Sequence, residues 1–332
     1  MTIRPNIIRV DADQPDKAKL EPAAEALRAG ELVAMPTETV YGLGANALDE
    51  DAVAKIFAAK ERPPTNPLIV HVAAIDDVHA IVAEWPNEAQ LLAKTFWPGP
   101  LTLVLPKKNT VPDTVTAGLD TVGVRMPAHP VARELIRLAG VPVAAPSANR
   151  YTEVSPTRAE HVVQSLGEAV DVVVDGGPTQ VGVESTVLSL VGGRAEILRP
   201  GMVTGEQIAV VVPDVVYASD APVDEQLSRP SPGLARKHYS PNAQLRVVDD
   251  VDTLLALSGA DEGAAWLVLE APAAQPRGPV VIMGREPSAY AEKLYAVLRD
   301  LDRQGVDTIV VERPPEGDAW RAIHDRLTRA AQ

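Results

Sequence analysis

Apolar positions along this chain switch between two spacings. Short unbroken apolar runs predict buried strands, and stretches with apolar residues every third or fourth position predict helices. IIRV at 7–10 and ELVAM at 31–35 read as strands, with a helix over 17–29 stopped by Gly30 between them. A helix from Asp49 to Lys60 has Asp49 as its cap and Glu50 and Asp51 at its positive end. PLIVHV at 67–72, LTLVLP at 101–106 and TVGVRMP at 121–127 read as strands, with a helix at 87–96 ending in the turn WPGP. A helix at 130–139 leads to strand VPVAAP, helix 157–166 and strand DVVVD. TVLSL and AEILRP are expected to form a hairpin through Gly192 and Gly193, and a short helix near 204–211 closes this part. Pro36 ends the pairing of its strand, so YGLGANA after it reads as a glycine turn.

The pattern then breaks. Residues 213–241 hold little periodicity but carry Arg229, Lys237, His238 and Tyr239, which a plain spacer does not need. We read an ordered linker and lid between residues 1–212 and 242–332. In the last part QLRVV, AAWLVLE, PVVIMG and DTIVVE alternate with helices at 249–257, 288–303 and 318–329, as expected of a small α/β unit with a parallel sheet.

Composition narrows the function classes. A chain of 332 residues with 46% hydrophobic content suits two packed units. A net charge of -14 disfavours a general nucleic-acid surface and makes a local basic corner at Lys60 and Arg62 stand out. With no cysteine there is no disulfide, thiolate or Cys-ligated zinc. The amino terminus lacks a signal-type apolar core and no apolar run is long enough for a bilayer, so a cytoplasmic protein without a membrane partner is expected.

The candidate chemistry is hydroxyls, amides and cations. Gly42 to Ala47 has the spacing G-x-G-x-x-A, but a dinucleotide fingerprint must leave a strand and open a helix, and here Pro36 and Asp49 lie too far away. Lys60 and Arg62 either neutralise a helix end or, stiffened by the RPPTNP that follows, face a polyphosphate. His71 on its own reads as a core histidine. Arg125 needs an anion, from a substrate carboxylate or from the protein. Ser147 and Asn149 follow a strand, at the edge where open α/β sheets bind ligands. Thr157 with Glu160 makes a capping box, which leaves Ser155 freer to face a ligand. Arg199 ends a strand. No nucleophile triad, metal cluster or carboxylate pair is visible. This inventory suits transfer at phosphorus, where positioning and charge neutralisation dominate.

The segments PTETVYGLGANA, KERPPTNPLIVHV, FWPGPLTLVL, VGVRMP, APSAN, SPT, GVESTV and ILRPG, in this order, resemble the YrdC-like family. SPGLARKHYSP and the trailing α/β unit resemble its longer branch, the L-threonylcarbamoyladenylate synthases. The resemblance covers nearly the whole chain. It implies an α/β fold, with a YrdC-like open twisted mixed sheet holding a large cavity, plus a small Rossmann-like α/β C-terminal domain. It also implies synthesis of threonylcarbamoyl-AMP from L-threonine, bicarbonate or CO2, and ATP with Mg2+, releasing pyrophosphate. The product would pass to a tRNA threonylcarbamoyl transferase acting at adenosine 37; direct tRNA binding is left open. By matched motif, Thr39, His71, Arg125, Ala145 (through its backbone) and Ser185 fall on the threonine side. Lys60, Arg62, Asn66, Thr121, Ser147, Asn149, Ser155 and Arg199 fall on the nucleotide side, with Tyr239 reaching over from the linker. Lys60 and Arg62 would offset charge in the reaction, and Mg2+ would be held by ATP phosphates rather than by protein ligands. The chain departs from the family at Arg150-Tyr151-Thr152-Glu153, where small residues are usual, and at PTQVG after Gly177, where Cys is common. An RNA-binding or ribosome-associated module is the alternative, disfavoured by the acidity. A hydrogenase-maturation carbamoyl transferase would need zinc-finger and acylphosphatase-like regions absent here, and a vestigial regulator is disfavoured by the intact motif positions.

Overall fold

Two sheets of different construction organise the molecule. The computed structural model describes residues 5–218, 231–233, 237–250, 263–273 and 276–332. The helix expected at 249–257 and Arg229 lie outside the described residues, the former but for its first two positions.

The first sheet has eleven strands: β1 (Asn6–Arg9), β2 (Val33–Pro36), β3 (Tyr41–Asn46), β4 (Ile69–His71), β5 (Leu101–Pro106), β6 (Thr121–Arg125), β7 (Val143–Ala144), β8 (Val172–Asp175), β9 (Thr186–Ser189), β10 (Glu196–Arg199) and β11 (Val216–Tyr217). Their order is β1-β8-β2-β3-β7-β4-β6-β5-β9-β10-β11, with parallel and antiparallel pairs mixed. One face is covered by α1 (Lys17–Arg28) and α5 (Pro130–Ala139), whose Leu20, Leu27, Leu135 and Ile136 pack with Val33, Met35 and Val174. The other is covered by α2 (Glu50–Lys60), α3 (Asn87–Phe96) and α6 (Ala159–Leu166), through Ile56, Leu92 and Val162. The remaining helices of this unit are the short α4 (Asp113–Thr116) and α7 (Gly205–Ala209). Strand β11 pairs with β10, so the sheet continues past α7 into the segment read as linker.

The second sheet comprises β12 (Gln244–Val248), β13 (Ala264–Val268), β14 (Val280–Ile282) and β15 (Thr308–Glu312), in the order β12-β15-β13-β14 and parallel throughout. Helices α8 (Pro287–Gln304) and α9 (Arg321–Ala330) pack on one of its faces. Their core includes Val40, Val154 and Val183 of the first unit, so the two units share buried apolar surface.

Two local expectations need correction. YGLG is not a turn: Tyr41–Asn46 is a strand antiparallel to β2, and the reversal happens at Thr37–Val40. Its glycines serve close approach. A Cβ on Gly44 would lie 2.8 Å from Val143 Cγ1, and one on Gly42 would lie 3.1 Å from Ala145 Cβ. Nor does Thr157 cap a helix: α6 starts after Arg158, with no side-chain cap, and the buried Thr157 Oγ1 has no partner. The hairpin through Gly192 and Gly193 forms as expected, both glycines having left-handed φ values of 81° and 77°.

Candidate active site

A cleft of about 550 Å3, its mouth included, opens where β3, β4, β6 and β7 meet the loops before β9 and after β10. Thr39, Arg62, His71, Arg125, Ala145, Ser147, Ser185, Arg199 and Tyr239 all line it. Residues far apart in sequence thus reach one wall, because β4 and β6 lie side by side with His71 opposite Arg125.

The reversal before β3 is tied by Thr37, whose hydroxyl donates to the Val40 carbonyl at 2.6 Å. Its one hydrogen is spent there, so in the 2.8 Å contact with Thr39 the Thr39 hydroxyl donates. Thr39 in turn accepts from Arg125 Nη1 at 3.1 Å. Arg125 also donates to the Gly99 carbonyl at 3.2 Å and sits 2.7 Å from a Glu38 carboxylate oxygen. Both charges are buried, so the protein itself supplies the anion this arginine requires. His71 stays neutral: burial, then the adjacent Arg125 charge, push its pKa down to about 3.

The basic corner divides. Arg62 faces the cleft, held by bonds to the Asn66 and Pro67 carbonyls at 3.3 and 2.9 Å. Lys60 turns away beneath the SAN loop, donating to the carbonyls of Ser147 at 2.6 Å and of Asn149. Burial, with Arg62 adding, drives its pKa well below the lysine range. Asn66, Thr121, Asn149 and Ser155 likewise do not line the cleft. Asn149 donates to the carbonyls of Arg150 and Glu153, and Asn66 reaches the Tyr151 hydroxyl at 3.4 Å. Thr121 opens β6 on the same face as Arg125, about 13 Å along the strand. The departing Arg150 and Glu153 fasten this loop to Glu61 and Ser165.

The far wall centres on Glu184, which sequence reasoning passed over in favour of its neighbour Ser185. One Glu184 oxygen accepts from Ser155 at 2.6 Å; the other accepts from Tyr295 at 2.9 Å and from Arg326 at 2.7 Å. Burial alone would raise its pKa, but Arg326, Arg199 and these bonds outweigh that and hold it at about 2. Arg199 grips the Ser185 carbonyl through two nitrogens, at 3.1 and 2.9 Å, and donates to the Pro232 carbonyl. From the linker, Pro232, Gly233, His238 and Tyr239 close the cleft. Tyr239 adopts a left-handed φ of 60°, uncommon for a bulky residue, and packs between His238 and Tyr295. Glu38, Glu184, Tyr295 and Arg326 escaped the sequence reading. The only signal for the first two was an acidic residue between hydroxyl residues in TET and beside one in VES.

Fold and site together define a two-unit α/β protein with a buried, cationic cleft for a ligand carrying several anionic groups. The Sua5/YciO/YrdC family model, described as telomere recombination, matches residues 25–201, and the model of the threonylcarbamoyl-AMP synthase C-terminal domain matches 203–332. The chain belongs to this family. It is 42% identical to the threonylcarbamoyl-AMP synthase of Pyrococcus abyssi, with 94% of each chain covered. To the enzyme of that name from Bacillus subtilis it is 43% identical, with 93% of this chain and 92% of the relative covered. The crystal structure of P. abyssi Sua5 complexed with L-threonine superposes with a TM-score of 0.91 at 41% identity, covering 98% of this chain and 97% of that one.

Proposed function

We propose that this chain is a threonylcarbamoyl-AMP synthase: it joins L-threonine, bicarbonate or CO2, and ATP, and releases pyrophosphate. The product serves formation of N6-threonylcarbamoyladenosine at position 37 of tRNAs. The observation that carries this reading is the convergence of Arg62, Arg125 and Arg199 on one cleft that also presents Thr39, Ser147 and Ser185. Such a wall offsets the charge of a triphosphate and an amino-acid carboxylate together.

The threonine amine adds to the carbon of CO2 and loses a proton, giving a carbamate. A carbamate oxygen attacks the α-phosphorus of ATP. The bond from that phosphorus to the bridging oxygen of the β-phosphate breaks, and pyrophosphate departs. Both nucleophiles come from the substrates, so the protein's task is to orient and to balance charge. We assign Thr39, His71, Arg125, Ala145 and Ser185 to threonine. Lys60, Arg62, Asn66, Thr121, Ser147, Asn149, Ser155, Arg199 and Tyr239 belong to the nucleotide side. Arg125 is fixed by two hydrogen bonds and by the ion pair with Glu38, and a neutral His71 beside it adds no competing charge. Lys60 acts from below, by fixing the SAN loop. Among the described residues no group of three or more His, Asp or Glu side chains is arranged for a metal ion. We infer that magnesium enters as part of the substrate Mg·ATP, held by phosphate oxygens and water. Carbamates decompose in water, and the linker around Tyr239 is placed to exclude it.

The reaction product would pass to a threonylcarbamoyl transferase, in the cytoplasm. No helix among the described residues is long and apolar enough to cross a membrane. The test is incubation with ATP, bicarbonate and single amino acids. Pyrophosphate and a threonylcarbamoyl nucleotide, identified by mass spectrometry, should form only with threonine or a close analogue. Pyrophosphate release indifferent to the amino acid would refute the assignment.

A further inference from the structure

Three side chains of the C-terminal unit converge on Glu184 and on the segments around Val154 and Pro200 of the first unit. Arg326 on α9 is buried and ion-paired to Glu184 at 2.7 Å. It also donates to the Pro200 carbonyl at 3.1 Å, and its guanidinium lies 5.0 Å from the centre of the Tyr239 ring. Tyr295 on α8 donates to the same Glu184 oxygen and stacks on Tyr239, with ring centres 5.8 Å apart. One helical turn on, Arg299 donates to the backbone carbonyls of Val154 and Ser155. Glu184 and Tyr239 both line the cleft.

We propose that Arg326 is a positioning residue for the nucleotide wall of the cleft, acting through Glu184 and Tyr239, with Tyr295 and Arg299 in support. Glu184 is the hinge of this argument. Left without Arg326, a buried carboxylate would take up a proton or draw water in, and either change frees Ser155. The Ser155 hydroxyl has one hydrogen, and it goes to Glu184. Ser155 is fully buried behind the wall, so this bond holds Glu184 in place, and Arg326 reaches the cleft through Glu184 and Tyr239, which line it. Arg326 over the Tyr239 ring and Tyr295 stacked on that ring hold the linker residue in its left-handed conformation at the cleft mouth.

This inference rests on the synthase reading above. The experiment uses the full chain and measures the affinities of L-threonine and of a non-hydrolysable ATP analogue separately, by calorimetry. Arg326→Met keeps the volume and removes the charge. It should weaken the analogue at least tenfold and threonine less than twofold. Equal weakening of both ligands would show a merely structural role and overturn the proposal, as would no change in either. Tyr295→Phe deletes only one hydroxyl and serves if Arg326→Met does not fold; it should weaken the analogue about threefold, and an unchanged affinity overturns the proposal. An unsubstituted chain that binds neither ligand would instead bring down the synthase reading, and this inference with it.

Discussion

Arg125 and Glu38 form a buried ion pair at the centre of the threonine side, and breaking it has two separable effects. Arg125→Ala should abolish threonine binding while ATP binding changes little, measured as separate dissociation constants. It also leaves Glu38 buried and uncompensated, a cost of about 3–5 kcal/mol. The double variant Glu38→Gln/Arg125→Met should recover most of that stability in denaturant titration and none of the threonine affinity. Arg62→Ala is expected to stop ATP-dependent pyrophosphate release, and the circular dichroism spectrum should stay unchanged. Two of that arginine's bonds go to the nearby carbonyls of Asn66 and Pro67, within one loop. Residue types at this scale were partly legible. An arginine in GVRMP announces a buried cation, but nothing in the sequence says that Glu38, 87 positions earlier, is its partner. The buried-arginine rule left substrate and protein carboxylates equal; the structure adds Glu38 at 2.7 Å, while Arg125 also lines the cleft.

At the scale of elements, β3 depends on glycine. Gly44→Ala puts a methyl group 2.8 Å from Val143 Cγ1 and 3.1 Å from the Val33 carbonyl, between two neighbouring strands. Neither strand can yield without disturbing the floor of the cleft, so a loss of about 1–3 kcal/mol is expected. Gly140→Ala meets no atom and pays only for its left-handed φ of 66°. Comparing the two by thermal unfolding separates crowding from backbone strain. Strands and helices with clean periodicity were legible in the sequence, including β5, α3 and α5 to the residue. The strand Tyr41–Asn46 was not, because two glycines erase the β propensity that would mark it. The same smallness that hides the strand from a propensity argument lets β7 come close. The capping box at Thr157 misled for a related reason: its spacing is right, but the loop ahead of α6 is held by contacts with the linker, including a Ser240–Thr152 backbone bond at 2.8 Å.

For the whole molecule, buried neutral histidines set the acid limit. Burial depresses His71 and His161 to about 3, and His238 well below its ordinary value. Between about pH 6.5 and 3 the unfolded chain binds protons on these residues that the folded chain refuses. Stability therefore falls as the pH is lowered through this window, by about 1.4 kcal/mol per pH unit for each proton withheld. Glu184 acts in the same direction lower down, its contribution being present above about pH 4.5 and lost as the pH falls toward 2. Denaturant midpoints measured from pH 8 to 5 should decline, and His161→Gln should flatten the decline. Two units joined by a purposeful linker could be read from the sequence. The shared core of Val40, Val154 and Val183 with α8 and α9 could not, since each of these valines stands alone in a loop with no apolar pattern to mark it.

The Glu184–Arg326 pair spans 142 residues. A ribosome adding roughly 5–20 residues per second needs roughly 7–28 s to cover that interval. During it the first unit is already long enough to fold, yet Glu184 on its far wall has Arg199 but not Arg326 beside it, and Tyr239 lacks the Arg326 and Tyr295 side chains that pack on its ring. The Arg326 side of this wall is in place only when the final helix docks. If Arg326 positions the wall as proposed, a chain that ends before the last helix folds its first unit with that wall unfinished.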